Sequence, residues 1–379
     1  MKVRKSFGTM VGLSGVLLVV GAVALSAVWT GPGSGPAVST ASSVSAAAPN
    51  CSPNSPQVRA GGADGAALLA MPNDVLAREL TAAKNAGMFS IRVDIDWSVI
   101  EPTRGRRDWS NTDRVVNSIV AHGLCPLGLV GFTPIWARPQ AGWVSDSHYI
   151  PRDAGLFADF ARAAAVRYRD RISLWEIWNE PNIVHFFRPA PNVDQYGQLL
   201  RAGYEAIKSV QRNSFILAGG LAPAADNGTD IAPVTFIQRL YQIGANRYFD
   251  AFAMHPYTYP ALPNDPTTAS WSAAQKMWQM RDVMVAGGDA GKQMWITEFG
   301  APTGTHPTAV TEAVQAESIA IALNAAREAP WIGPIYLYSI RDTGPNPADR
   351  EQNFGLLRHD FSEKLAYGLV RSRMFAPGN

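Results

Sequence analysis

The sequence has little cysteine and no excess of either charge. Cys51 and Cys125 are its only cysteines, so it carries neither a disulfide-rich scaffold nor a Cys-x-x-Cys motif. Lysine plus arginine number 33 against 31 aspartate plus glutamate, and nothing in that balance points to nucleic acid or a polyanion. His-Glu-x-x-His is absent, as are a phosphate loop and a Gly-x-Ser-x-Gly turn in the folded body. Neither a metal nor an organic cofactor is implied. No internal repeat and no second domain stand out.

Apolar residues make up 47% of the chain, enough for a large core. The amino-terminal end reads differently. Lys2, Arg4 and Lys5 form a basic start, and residues 11–29 are uncharged and mostly apolar. Residues 1–30 are expected to be an export signal, either a cleaved peptide or an uncleaved anchor. The run exceeds the roughly 7–15 residues of a cleaved signal and approaches the roughly 20 that span a bilayer. Residues 31–50 are uncharged and almost wholly Gly, Ser, Ala, Pro, Val and Thr, which predicts a low-complexity tether. The folded domain is expected over 51–379, outside the cytoplasm, secreted or membrane-anchored and facing the cell envelope. A membrane enters only through the first segment, and the body reads as a monomer. In an oxidising compartment Cys51 and Cys125 could pair or stay as two thiols. Cys51 lacks the small-residue context of a lipidated cysteine.

From about residue 56, strand-like and helix-like stretches alternate. Strands are expected at 57–60, 89–95, 124–130, 172–178, 215–218, 249–254, 293–297 and 332–338. Helices are expected between them: Asn73 caps one that Gly87 stops, Asn111 or Thr112 opens the next, and Asp153 the third. The others cover about 193–211, 234–243, 272–286, 309–326 and 361–371. Eight strand–helix pairs in about 320 residues predict a single-domain (β/α)8 TIM barrel. An open doubly wound sheet is the other reading, but it more often shows a glycine-rich phosphate turn after its first strand, and none is here. In a barrel, Cys51 and Cys125 both lie near the amino-terminal face.

The chemistry centres on Trp175-Glu176-Ile177-Trp178-Asn179-Glu180-Pro181-Asn182. It reads as a buried strand stopped by Pro181, which cannot donate to a ladder. Asn179 and Glu180 therefore sit at the strand's carboxyl end, where barrels carry their chemistry. Met294-Trp295-Ile296-Thr297-Glu298-Phe299-Gly300 is a second apolar strand carrying a glutamate. Two such carboxylates in one cleft suit glycosidic cleavage, one attacking and one passing protons. Alternation along the fourth strand puts Glu176 on one inward face with Trp178 and Glu180, deeper than either, as a structural carboxylate. Arg92, inside the second strand, needs a carboxylate partner, and Asp94, Asp96 and Glu176 are candidates.

Trp178-Asn179-Glu180-Pro181-Asn182 together with Thr297-Glu298-Phe299-Gly300 resembles clan A of the retaining glycoside hydrolases, in particular its cellulase-like and xylosidase-like families. The resemblance covers nearly the whole chain after the tether. It implies Glu180 as acid/base, Glu298 as nucleophile, Arg92 as the cation on Glu298, and Asn179 on the sugar hydroxyl beside the anomeric carbon. His255-Pro256-Tyr257 matches a His-x-Tyr whose tyrosine holds the nucleophile and whose histidine lies near the sugar. Loop aromatics Trp97, Trp136, Trp143, Tyr149, Phe186, Phe187, Tyr257 and Tyr259 could stack on sugar faces or only pack the loops, with Trp136 and Tyr257 best placed. The eighth strand departs from the clan pattern: Tyr338 stands where many members end in tryptophan. A narrower resemblance, to mycobacterial exported galactofuranosidases of cell-wall arabinogalactan, implies exo-acting β-D-galactofuranoside cleavage. The alternatives are a β-pyranosidic glucan, mannan or xylan as substrate, or a non-catalytic carbohydrate-binding barrel.

Overall fold

The computed structural model describes residues 51–53, 58–140 and 146–376. The segments expected as signal and tether, and Gln57 and Trp143, lie outside these residues. In chain order the elements are β1 Ala60–Ala63, α1 Gly65–Ala70, α2 Asn73–Asn85, β2 Ser90–Asp96, α3 Trp97–Ile100 and α4 Ser110–Ala121. There follow β3 Cys125–Gly131, α5 Ala154–Arg167, β4 Leu174–Ile177, α6 Val193–Val210, β5 Phe215–Ala218 and α7 Pro233–Gln242. The last are β6 Phe252–Met254, α8 Ala273–Ala286, β7 Met294–Phe299, α9 Glu312–Glu328, β8 Ile332–Leu337 and α10 Leu365–Met374. Among the described residues no helix is long and apolar enough to cross a membrane.

All eight strands run parallel, in the order β5-β4-β3-β2-β1-β8-β7-β6. Bridges of Leu217 with Ala251 and of Leu221 with Met254 join the two ends. The result is the expected (β/α)8 barrel. Its floor is apolar: Leu127, Leu174, Leu217, Trp295 and Tyr336 are fully buried there. A larger core separates the strands from the helices, with Ile91, Val93, Trp175 and Ile177 facing outward into it. Alternation along each strand sends one set of side chains to each layer.

The first strand differs from expectation: it starts at Ala60 rather than ending there. Ala-Gly-Gly-Ala has little β-favouring character, so pattern reading passes over it. Its glycines answer to packing instead. A Cβ on Gly61 would lie 2.6 Å from Tyr336 Cδ1, so the Tyr336 ring occupies the space a side chain would need. Asn73 is not a cap. It is the first residue of α2, and its Oδ1 accepts from Arg114 Nη1. The last helix begins at Leu365, because Phe361 sits at φ +73° in a turn beneath the Arg341 and Arg78 guanidiniums. Asp153, Asn192 and Thr311 do cap α5, α6 and α9 through their side chains.

Cys51 and Cys125 are joined in a disulfide, with Cα atoms 5.5 Å apart. It ties the chain before β1 to the start of β3 across 74 residues of sequence. Closing so long a loop disfavours the unfolded chain by roughly 4 kcal/mol in the chain-entropy model. We expect the double variant Cys51→Ser/Cys125→Ser to keep the fold and to lose about 2–4 kcal/mol in urea denaturation. An unchanged midpoint would show that the bond adds no stability.

Candidate active site

Three carboxylates and one guanidinium meet at the carboxyl ends of the strands. Arg92 projects from β2 and is buried. Its Nε reaches Glu176 Oε2 at 2.7 Å, its Nη1 reaches Glu298 Oε1 at 2.7 Å, and its Nη2 donates to Asn179 Oδ1 at 2.7 Å. Arg92 thus answers both the Glu298 and the Glu176 possibilities, and a rigid planar fork is what allows it. Glu176 also accepts from Gly220 N at 2.8 Å and from Thr297 Oγ1 at 3.1 Å. Gly220 has to be glycine here, because a Cβ would lie 2.2 Å from His255 Nε2.

Above this layer lie the two terminal glutamates. One oxygen of Glu180, one of Glu298 and a ring nitrogen of His255 all lie within 4.8 Å of one another. The Tyr257 hydroxyl donates to Glu298 Oε2 at 3.0 Å, so both oxygens of that carboxylate are held. His255 is fully buried; its Nδ1 lies 2.9 Å from Glu180 Oε1 and its Nε2 lies 3.0 Å from Thr297 Oγ1. The Thr297 hydroxyl gives its one hydrogen to Glu176, so its oxygen accepts from Nε2–H. The Nδ1–Glu180 contact then holds one proton. It is either a carboxylic acid donating to imidazole or an imidazolium donating to carboxylate.

Alternation does not carry through the end of β4. Trp178 has φ +68° and Glu180 φ +44°, both in the left-handed region that L residues rarely occupy. Such positions cost about 1–3 kcal/mol each and concentrate at functional sites. The first turns Trp178 away from the inward face expected for it. Its ring packs on Phe132, Phe157 and Phe187, and its Nε1 donates to Phe186 O at 2.7 Å. Asn179 and Glu180 both line the cavity as a result.

Environment separates the two glutamates. Burial raises the Glu180 pKa above the usual carboxylate range, and the nearby Glu298 charge adds to that against the opposing His255 contact. Burial pushes Glu298 upward too, but the charges of His255 and Arg92 and the bonds from Tyr257 and Arg92 hold it below its ordinary value. For His255, burial is outweighed by Glu298 and Glu180, and its pKa is raised. One group favours holding a proton and its neighbour favours being charged, a division suited to acid and nucleophile. Among the described residues, Glu180, His255 and Glu298 are also the group that could offer ligands to a metal. Arg92 already places a positive charge on Glu298, which opposes a cation there.

The cavity has a volume of about 1040 Å³. Of the aromatics singled out in the sequence, Phe186, Tyr257, Tyr259 and Tyr338 line it. Trp136 does not. A short turn at Ile135–Ala137 lays its ring edge-on against buried Trp97 at 5.4 Å, and its Nε1 donates to Glu101 O. Trp97 and Phe187 are core residues, and Tyr149 stands outside the lining. Phe132, Trp271 and Phe354 line the cavity and were missed by sequence reasoning. Phe132 directly follows the third strand, which was a signal, whereas Trp271 and Phe354 are isolated aromatics in polar loops. Tyr338 packs against Phe354 at 5.0 Å and Tyr257 at 6.5 Å, at the place expected for a tryptophan.

No family model matches the chain. A 128-residue segment is 30% identical to a β-xylosidase of Geobacillus stearothermophilus, spanning 31% of this chain and 24% of that enzyme. Similar solved structures include a family 39 glycoside hydrolase from Bacteroides cellulosilyticus WH2, with TM-score 0.67 and 22% identity over 84% of this chain and 63% of that one. A monomeric β-xylosidase from Caulobacter crescentus CB15 superposes with TM-score 0.64 and 18% identity, over 84% of this chain and 68% of that one. The chain therefore spans about a quarter of the curated relative and under two thirds of the first of these structures. At these identities the structural likeness is one of fold, the (β/α)8 barrel.

Arg92 is the cation that keeps Glu176 and Glu298 compatible in one small volume. We expect Arg92→Ala to destabilise the fold by roughly 3–5 kcal/mol in urea, because it leaves Glu176 buried without its counter-charge. A loss below about 1 kcal/mol would show that the other donors to Glu176 suffice.

Proposed function

We propose that the chain is a retaining glycoside hydrolase, with Glu298 as nucleophile and Glu180 as general acid/base. The observation that carries this reading is the pair of glutamates whose carboxylate oxygens approach within 4.8 Å at the mouth of the barrel. Retaining enzymes hold their carboxyl groups about 5–5.5 Å apart, whereas inverting enzymes leave roughly 6.5–9.5 Å for a water. In the first step Glu298 attacks the anomeric carbon while Glu180 protonates the departing oxygen. In the second, Glu180 takes a proton from water, which displaces Glu298. Asn179 Oδ1 is engaged by Arg92, so its amide N–H groups are left to donate to the hydroxyl beside the anomeric carbon. The intact set of carboxylates and their supports weighs against a binding protein that has lost its chemistry.

For the sugar, we infer a β-D-galactofuranoside of cell-wall arabinogalactan, cleaved from the chain end. This rests on the likeness noted in the sequence. The second reading is a β-pyranoside, and the relatives named β-xylosidase favour it. We also infer that the chain is exported, from its basic and then apolar amino-terminal run and from a disulfide of the kind oxidising compartments sustain.

Aryl β-D-galactofuranoside should be tested beside aryl β-xyloside, β-glucoside and β-mannoside. Release from the furanoside alone selects the first reading of the sugar, and release from a pyranoside alone selects the second. Glu298→Gln should cut turnover by roughly 10⁴-fold or more in a folded protein. Near-normal rates would sink the mechanism.

The pH profile should be bell-shaped. The nucleophile must be ionised, so activity falls as pH drops through the lowered pKa of Glu298. The acid must be protonated, so activity falls as pH rises through the raised pKa of Glu180. Glu180→Gln should remove the alkaline limb. It should also slow substrates with poor leaving groups by about 10²–10⁴-fold while sparing glycosylation by good ones. An unchanged alkaline limb in that variant would exclude Glu180 as the acid.

A further inference from the structure

We infer that Asp94 is a substrate-positioning residue whose carboxyl hydrogen-bonds hydroxyls of a neutral glycone away from the reacting carbon. The inference rests on the hydrolase reading above. Asp94 lies on β2 two residues beyond Arg92, so it points into the barrel one step nearer the mouth. It lines the cavity and is only 8% exposed. Among the described residues its carboxyl makes no hydrogen bond. Buried carboxyls ordinarily find partners, and leaving one without them is costly.

The neighbouring acids Asp96 and Asp64 line the same cavity, but each has an oxygen held by a backbone N–H. Asp96 Oδ1 accepts from Ser98 N at 2.8 Å and caps α3. Asp64 Oδ1 accepts from Ile340 N at 3.0 Å. Arg92, the cation beside Asp94, commits its nitrogens to Glu176, Asn179 and Glu298. The charged groups facing Asp94 are therefore Arg92 and Asp96 on its own strand, Glu176 from β4 and Glu298 from β7, with Asp64 at the end of β1. Three of the four whose charges act on it are carboxylates, and burial together with them lifts its pKa to about 7 despite Arg92. A site selected for stability alone would replace such a group.

Placement says what would meet it. Glu180 must face the departing oxygen, so the loops after β4 and β5, with His185 and Pro223, bound the leaving-group end. The β1–β2 wall of Asp64, Asp94 and Asp96 then lies along the glycone. Sugar hydroxyls can donate to a carboxylate or accept from its protonated form. A uronate would bring a like charge to this wall, whereas a neutral polyhydroxyl ring would not.

The test uses the full chain, Asp94→Asn and Asp94→Ala, the aryl glycoside panel, and monodeoxy versions of the glycone hydrolysed best. Both variants should lose about 10- to 100-fold in kcat/KM, the range for a hydrogen bond to a charged group. One deoxy substrate should cost the wild type a similar factor and cost Asp94→Ala no more. Stability gives a readout that does not depend on activity. A carboxyl with folded pKa near 7 and unfolded pKa near 4 is destabilising once ionised, and that penalty grows as pH rises between the two. Asp94→Asn should therefore melt higher than wild type at about pH 8, with the gain fading below about pH 5. Wild-type kcat/KM in the variants, additive losses with every deoxy substrate, or a lower melting temperature at the alkaline pH would each overturn the inference while leaving the hydrolase reading intact. A wild type inert on the whole panel, and on polymeric cell-wall glycan, would overturn both.

Discussion

Arg92 makes the site physically possible. Without a cation, Glu176 and Glu298 would be two carboxylates packed together inside a closed barrel with no counter-charge, which is costly. With the guanidinium between them, Glu176 becomes a fixed support and Glu298 stays charged at the cavity floor. The third arm of the fork turns Asn179, so one side chain sets the charge of Glu298 and the orientation of an amide that lines the cavity. A lysine could not do this, because its ammonium is a point charge without the planar fork.

From that centre the polar contacts run as a chain through the barrel. Arg92 holds Glu176, Glu176 takes the Thr297 proton, Thr297 takes the His255 Nε2 proton, and His255 faces Glu180. The members come from β2, β4, β7 and the segment after β6, so the tautomer of one histidine depends on the closure of the whole sheet. Thr297 and Glu298 are adjacent in β7 but serve different ends of this chain, one through a hydroxyl under the histidine and the other through a carboxylate in the cavity. The strained backbone at Trp178 and Glu180 belongs to the same design. The tryptophan is anchored among Phe132, Phe157 and Phe187, and its burial offsets the unfavourable φ angles that bring consecutive polar side chains to the cavity.

Much of this was legible in the residues. The barrel followed from eight alternations, and the meeting of Glu180 with Glu298 followed from their strands, because a closed parallel barrel brings all carboxyl ends to one face. What escaped notice depended on local geometry that pattern cannot carry. The first strand was misplaced because its glycines answer to the Tyr336 ring rather than to β-propensity. Trp136 was misassigned because a single turn after Pro134 directs it onto Trp97. Trp178 was assigned to the wrong layer because period-two alternation presumes extended backbone, and φ is positive there. Trp271 and Phe354 come to the cavity on loops, where sequence has no period to read.

The Glu180–His255 contact adds a constraint that the two-glutamate scheme alone lacks. With Nε2–H committed to Thr297, the pair holds one proton, and either partner can carry it without any heavy atom moving. Glu180 and Glu298 raise the His255 pKa against its burial, whereas Glu180 is itself raised by burial and by Glu298 against the pull of His255. A proton on the glutamate is ready for the leaving oxygen. A proton on the imidazole leaves a carboxylate ready to take one from water. The two half-reactions of the proposed mechanism require these states in turn, and the Glu180–His255 contact suits that alternation. The complete burial of His255 suits such an alternation, because a solvent-exposed imidazole would exchange its proton with water rather than with the glutamate.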